Sequence, residues 1–556
     1  MPFYILEKDI ETLKQSRTAA ETLMMLEAFS NRPLNNASVL LSYHEYLLFH
    51  RAFTANPTLL DRVNTELERL GFITSEMANK GSALNQQHLA GSGLPHTELN
   101  GFFGLDISNW LLRRFPENVS LFAVDADDET IISILQLLLP GTEYEKITQG
   151  NERGLARIRK MAGSKNPVFL WKWILGVFNN SHAEQAIKED LFLRMKIFSS
   201  WKLDEAGFNR SQLGLTTDAV FFQQEMIRHP EASKILKQPV GSPLPLSLHE
   251  KIKCLDTIRG SLSFLYRETD PFSFADLNEL ELFDMGRGLQ IALVGMRKQK
   301  RLSLESYIGY MAFKNGVPLA YGGGWIWGHR CKIGINIYPA FRKGESAWQF
   351  AQIMRLYYQY CGVRHFIVKP YQFGKDNPEG LKSGAFWFYY RLGYRPADIE
   401  INTAAREEWE KIQADRTYRT PLTRLRYFTG SVMEWKTIKN SFPAFDAGVI
   451  SKKITDMVNT RFQGNRQKAI SNCSSALKKN IPGKMKDKPI SSKGNAVWEN
   501  WCLLAGLMDF GKTWKVSEKL DYARLIQLKQ TGKEVDFILK LQGSERLWKE
   551  IKILNT

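Results

Sequence analysis

The chain has 556 residues, 44% hydrophobic and 24% charged, a balance that excludes a disordered polymer, a collagen-like repeat or a disulfide miniprotein. At roughly 100–200 residues per domain, this length predicts three or four domains, each with material for a core. Lys and Arg number 75 against 58 Asp and Glu, and the resulting formal charge of +17 favours an anionic partner: nucleic acid, an acidic cofactor or a membrane surface.

Residues 1–240 read mainly as helices. In DADDETIISILQLLLPG, Asp125, Asp127 and Asp128 stand where a helix N-terminus favours negative charge, and Pro140-Gly141 ends the run. DISNWLLRRF and HAEQAIKEDLFLRMKIF have similar apolar spacing. HEYLLFH offers His44 and Glu45 but has Leu at position 48, so it is not a zinc-protease motif, and His88, His96 and His182 lack ligand spacing. Pro239, Gly241, Ser242, Pro243 and Pro245 mark a linker.

Residues 246–440 read as mixed α/β. Helices are expected over Lys251–Tyr266 and Phe274–Asp284, then a strand at GLQIALVGM. Two further strands flank Asn315-Gly316, a hairpin turn whose residues both need positive φ. The run Gly322-Gly323-Gly324 in the second of them suggests a bulge or a close backbone approach by a ligand. In CKIGINIYP, Ile333, Ile335 and Ile337 alternate with Gly334, Asn336 and Tyr338 as a strand requires. A loop from Ala340 to Glu345 then enters a helix with Ala347, Phe350, Ala351, Met354, Tyr357, Tyr358 and Cys361 on one face, closed by Gly362. RHFIVKPY follows as a strand. The first amides of a helix lack internal partners and carry positive partial charge, so a tight loop with Arg342, Lys343 and Gly344 there suits a pyrophosphate. NPEGLKSGAFWFYYRLGYRP reads as one helix, with Asn377 as N-cap, Pro378 in the first turn and Gly393 at the C-cap.

Over Tyr307–Pro396 the sequence resembles the GCN5-related N-acetyltransferase (GNAT) superfamily. Ala385, Phe388, Tyr389, Leu392, Gly393 and Tyr394 match its closing A-x-x-F-Y-x-x-L-G-F motif in order. Arg342 and Ala347 match the ends of its R-x-x-G-x-G/A cofactor motif, while Glu345 stands where the central glycine belongs and Gly344 comes one residue early. The resemblance implies acetyl-CoA or another acyl-CoA with its pyrophosphate on the segment Arg342, Lys343, Gly344, Glu345, Ser346 and Ala347. The pantetheine arm would run between the strands carrying Asn336 and Val368, and a strand amide would stabilise the oxyanion. It further implies Tyr389 as proton donor to the departing thiolate. Tyr389 also lies on the apolar stripe of its helix, so a core role stands beside the catalytic one. The nearby titratable residues that could act as general base are Glu305, His329 and Glu345; a water chain or an already neutral amine would need none of them.

Of the formal charge, +11 falls in residues 451–556, which hold 21 Lys and Arg against 10 Asp and Glu. Residues 441–494 read as a basic linker, Lys-rich and broken by Pro482-Gly483 and Ser491-Ser492, and 495–556 as a small α/β segment. That segment resembles the PD-(D/E)xK nuclease-like superfamily, with Glu499 on a helix, Asp536 on a hairpin, and Glu550 with Lys552 on the adjoining strand. The resemblance implies Mg²⁺ held by the three carboxylates, with the basic run offering phosphate contacts.

The five cysteines are dispersed and odd in number, which points to a reducing, cytoplasmic setting; there is no signal-peptide core and no apolar window long enough to span a bilayer. The expected fold is therefore a multidomain α+β protein: a helical N-terminal region, a GNAT-like acyltransferase domain over 246–440, a basic linker and a C-terminal α/β segment. The expected activity is acyl transfer from acyl-CoA to a small-molecule or protein amine. The alternatives are an aminoacyl-tRNA-dependent transferase on the same fold, or a nucleic-acid-binding or nuclease-like protein.

Overall fold

The computed structural model describes residues 4–555 apart from 16–17, 149, 206, 438–445, 482–495 and 509. Its helices and two sheets make a mixed α/β molecule with two hydrophobic cores. The smaller core lies within the region expected to be helical. There, strands β1 (Glu98–Phe102), β2 (Val119–Val124) and β3 (Ile197–Lys202) form an antiparallel sheet in the order β1-β3-β2. Leu99, Val119, Ile197 and Trp201 point inward from it onto Trp110, Trp171, Phe178 and Phe192. The helices expected at Asp128–Leu138 and Leu105–Arg114 are present, the first capped by the Asp127 side chain on the Thr130 amide.

The larger sheet carries the site. It comprises β4 (Ala275–Asp284), β5 (Leu289–Met296), β6 (Ser306–Lys314), β7 (Val317–Trp327), β8 (Arg330–Ile333), β9 (Asn336–Ile337), β10 (His365–Val368), β11 (Arg395–Pro396) and β12 (Met433–Lys436). Their order is β11-β12-β10-β8-β7-β6-β5-β4, with β9 on β7. Strands β4 to β8 are antiparallel neighbours, and the β6–β7 turn uses Asn315 and Gly316 at positive φ, as expected. Among the described residues only β8 and β10 run parallel, because the helix Ser346–Gln359 returns the chain across the sheet between them.

Several readings need correction. Residues 275–284 are strand β4, not a helix: Leu280, Leu282 and Phe283 are buried against β5, while Asp276 and Glu279 belong to an edge strand, where charge discourages further pairing. The glycine run of β7 makes neither bulge nor ligand approach. A Cβ there would strike the rings of Tyr310, Tyr307 and Tyr357, which pack on the two faces of the strand. The stretch Gln238–Ser247 is no free linker, since Val240, Leu244 and Leu246 pack on the core and Arg355 binds the carbonyls of Gln238 and Pro239. Within the expected basic linker, Ala447–Phe462 and Arg466–Asn480 are helices, each burying an apolar stripe under an exposed lysine-rich face. Pro482-Gly483 and Ser491-Ser492 lie outside the described residues.

The C-terminal segment is helical among the described residues, not α/β: Ala496–Leu507, Phe510–Thr513, Val516–Thr531, Glu534–Gln542 and Glu545–Asn555. Its spacing is that of helices, with Phe537, Ile538 and Leu541 buried on one and Leu547, Trp548 and Ile551 on the next. These helices belong to the core of the large sheet. Lys529, fully buried, bonds the Glu305 carbonyl at 2.9 Å and pairs with Glu534, while Arg301 from the loop between β5 and β6 bridges Glu534 at 3.2 Å and Glu279 at 2.7 Å. Gln542 donates to the carbonyls of Gly328 (2.9 Å) and Cys361 (2.8 Å), and Trp548 packs on Gly328 and Trp327. Among the described residues no helix is long and apolar enough to cross a membrane.

Candidate functional site

Strands β8 and β10 share only three rungs, His365–Arg330, Phe366–Cys331 and Ile367–Lys332. Beyond them the two strands part. On one side Val368 continues on β12 and the chain turns into Pro370–Phe373. On the other, the strand bows away from β7 at Gly334 and Ile335 and rejoins it in the same register at Asn336 and Ile337. The bow frees backbone groups: the Gly334 carbonyl accepts from the Tyr310 hydroxyl at 2.5 Å. The divergence opens onto a cleft of about 1460 Å³, above the roughly 300–1,000 Å³ of an ordinary ligand pocket.

The N-terminus of the helix Ser346–Gln359 lies in the wall of this cleft. A 3₁₀ turn over Pro339–Phe341 uses the amides of Arg342 and Gly344 internally. The first helical bond runs from Gln349 to the Glu345 carbonyl, so the amides of Ser346 and Ala347 are unsatisfied helix donors, and both residues line the cleft. Asn336 and Arg342 line it too, Arg342 in an exposed ion pair with Glu379. Of the residues expected to hold a cofactor, these four are therefore brought together. Lys343 is exposed away from the cleft, and Gly344 packs on Phe53.

Glu345 is fully buried behind the tip. Its Oε1 accepts from the Ile227 amide (2.8 Å), the Gln223 amide group (3.0 Å) and the Arg287 guanidinium (2.9 Å), and Lys314 stands 3.8 Å from Oε2. A carboxylate at that position would repel phosphate if it faced the cleft; it faces the interior instead. Burial lowers the Lys314 pKa to about 8, with Glu345 partly opposing the shift. Between about pH 8 and the ordinary lysine value of 10.5, the unfolded chain holds a proton that the native chain has released. The Lys314 contribution to native stability should therefore climb with pH across that window, whereas the five buried cysteines, whose thiols burial holds above their ordinary value of 9.0, work the other way from about pH 9 upward. Lys314→Met should lack that contribution, so the parent's stability relative to the variant should grow between pH 7.5 and 10, as denaturant unfolding of both proteins would show. A parallel pH dependence in the two would exclude Lys314 as its source.

Tyr389 is fully buried on the helix Ala385–Leu392 and borders the cleft. Its hydroxyl donates to Gln372 Oε1 at 3.2 Å, and the Ile335 amide of the bowed segment points at its oxygen. Burial raises its pKa more than that amide lowers it, so the phenol keeps its proton. The expected single helix over 378–392 is two, Pro378–Lys382 and Ala385–Leu392, broken at Gly384 with φ of 65°. The second is the one that aims Tyr389 inward, and Gly393 ends it as expected.

Several lining residues have no sequence-local signature. Gln372 rests on Gly334, where a Cβ would meet it at 2.6 Å. Six arginines line the cleft, at 228, 267, 342, 391, 416 and 419, against the single carboxylate of Glu379. Among the described residues only Arg342 of these six has a carboxylate within 4.0 Å. Trp387, Trp409 and Tyr418 form an aromatic wall beside Arg391 and Arg416.

None of the expected general bases borders the cleft. Glu305 pairs with Lys332 at 3.1 Å, His329 bonds the Gly362 carbonyl, and Glu345 is turned away. His229, which the sequence did not single out, is the histidine that lines it.

The expected Mg²⁺ site is not assembled. Asp536 is exposed in the first turn of one helix, Glu550 is paired with Arg546 on another, Glu499 begins a third, and Lys552 is exposed. Among the described residues no group of three His, Cys, Asp or Glu side chains could hold a metal ion. The nuclease resemblance placed Asp536 and Glu550 on strands; the helices disperse them.

In comparisons with protein-family models, curated proteins and solved structures, the chain matches none.

Proposed function

We propose that the chain is an acyltransferase that takes an acyl group from the thioester of acyl-CoA to an amine. What carries the reading is one juxtaposition: two parallel strands part above a helix tip, and a buried, protonated tyrosine stands beside the amide of the bowed strand. The gap suits a slender thiol arm. The amides of Ser346 and Ala347 suit a diphosphate, with Arg342 once it exchanges its exposed Glu379 partner for the ligand, and the Glu345 carboxylate is turned away from them. A bound acyl-CoA would supply the activated carbonyl. The chain's own residues would do the rest. The Ile335 amide would donate to charge developing on that carbonyl oxygen, the Tyr389 hydroxyl would donate its proton to the leaving sulfur, and the proton shed by the attacking amine would restore the phenol. Six arginines against one carboxylate at the rim also suit the 3′ end of an aminoacyl-tRNA, the second reading.

Thermal unfolding with acetyl-CoA, a longer acyl-CoA and tRNA, at low and high salt, separates these readings. A native-state ligand at 100 times its dissociation constant stabilises by about 2.7 kcal/mol. Acetyl-CoA should raise the midpoint, and Arg342→Glu should abolish that rise. A shift with tRNA alone, lost at high salt, would replace the first reading by the second. No shift with any of them removes both.

A further inference from the structure

Residue Glu345 joins two parts of the cleft that lie far apart in sequence. Its backbone begins the helix whose first amides face the cleft, while its side chain reaches back to an extended strap, Phe221–Pro230. The strap is tied down along its first half. Phe221 exchanges bonds with Asn315 (2.9 and 3.0 Å), the Gln223 amide donates to the Thr54 carbonyl at 2.7 Å, and Arg287 holds the Glu225 carbonyl at 2.8 Å. The last tie before the strap reaches the cleft is the Ile227 amide on Glu345, at 2.8 Å. The next two residues, Arg228 and His229, are exposed, line the cleft, and have no ion-pair partner among the described residues. A bare arginine held at a cavity rim by an anchor one residue earlier is placed to meet an anion.

We infer that the strap is a wall of the ligand site, that Arg228 contacts a phosphate of the bound carrier, and that Glu345 is a positioning residue that sets Arg228. The inference rests on the anionic-carrier reading above. It also accounts for the glutamate at the position where a phosphate loop would carry glycine: the side chain is used on the far side of the loop from the ligand.

Calorimetric titrations with coenzyme A and, separately, with inorganic pyrophosphate test it on the full chain. A charge-assisted bond to phosphate implies that Arg228→Ala weakens both ligands about tenfold. Glu345→Gln should weaken them several-fold and speed amide exchange over 221–230. In the double variant it should add less than twofold to Arg228→Ala, because both changes remove the same contact. A merely structural Glu345 would lower the melting temperature and act independently of Arg228. Unchanged affinity in Arg228→Ala, an exposed position whose loss does not threaten folding, overturns the inference, as does full additivity. Should Glu345→Gln not fold, Gln223→Leu repeats the cycle with the carboxylate in place. Pyrophosphate binding that depends on Arg228 without coenzyme A binding would keep the wall and reject the carrier. Coenzyme A binding insensitive to Arg228→Ala would do the reverse, and binding of neither ligand rejects both.

Discussion

Replacing Tyr389 by phenylalanine should lower turnover about 100-fold while coenzyme A affinity stays within twofold of the parent, because a positioned general acid contributes on the order of 10²–10⁴. The ring is held by neighbours that do not need the hydroxyl: Phe350 at 5.7 Å, Tyr394 at 5.8 Å and Phe373 at 6.4 Å between centroids. Phenylalanine keeps that packing and loses the donor. Gln372 then lacks its partner, but it borders the open cleft and can turn to water. Thiol release from acetyl-CoA, with water or an amine as acceptor, reads the effect, since either route must protonate the departing sulfur. Equal rates in the two proteins would return Tyr389 to the core, where its apolar stripe also places it.

A comparable loss, in stability, is expected from Glu534→Ala. The carboxylate is 3% exposed and sits between Lys529 at 0% and Arg301 at 1%. Removing it leaves the lysine facing the Phe537 ring and the Ser306 hydroxyl with its charge uncompensated, and breaking a buried pair typically costs about 3–5 kcal/mol. The double change Lys529→Met with Glu534→Leu should cost much less, because neither charge is then stranded. Amide exchange in Val516–Gln542, compared between these variants and the parent, measures the loss where it occurs. If the single variant exchanged like the parent, the charges would have found water, and the pair would hold nothing together.

What could be read in advance was local. Asn315-Gly316 dictates its turn through backbone sterics, and the helix Ser346–Gln359 declares itself by its stripe, so the loop between strand and helix was legible. Residues 275–284 were not, because leucines at 277, 280 and 282 with interleaved carboxylates fit either period. Pairing with β5 decided for strand, and the same carboxylates then receive the C-terminal helices: Glu279 takes the Glu534 amide, and Glu281 takes Lys533. The tail differs in the opposite way. Its helical spacing is plain at Phe537, Ile538 and Leu541, whereas the order of three carboxylates along the chain does not determine whether they converge in space. Gln372, Arg228, Arg416 and the strap are contributions of tertiary structure, brought to the cleft from segments whose local patterns announce only loops.

The closed end of the strand pair has a consequence for the order of assembly. The Gly328 carbonyl, in the turn that leads into β8, finds its donor in Gln542, 214 residues further along, and the same amide group satisfies Cys361 at the end of the neighbouring helix. A ribosome therefore delivers both halves of the fork well before the wedge that seats at its crotch. Contacts so distant in sequence close late. Until Gln542 and Trp548 arrive, a nascent chain shows Trp327 and two bare carbonyls at the closed end of the fork.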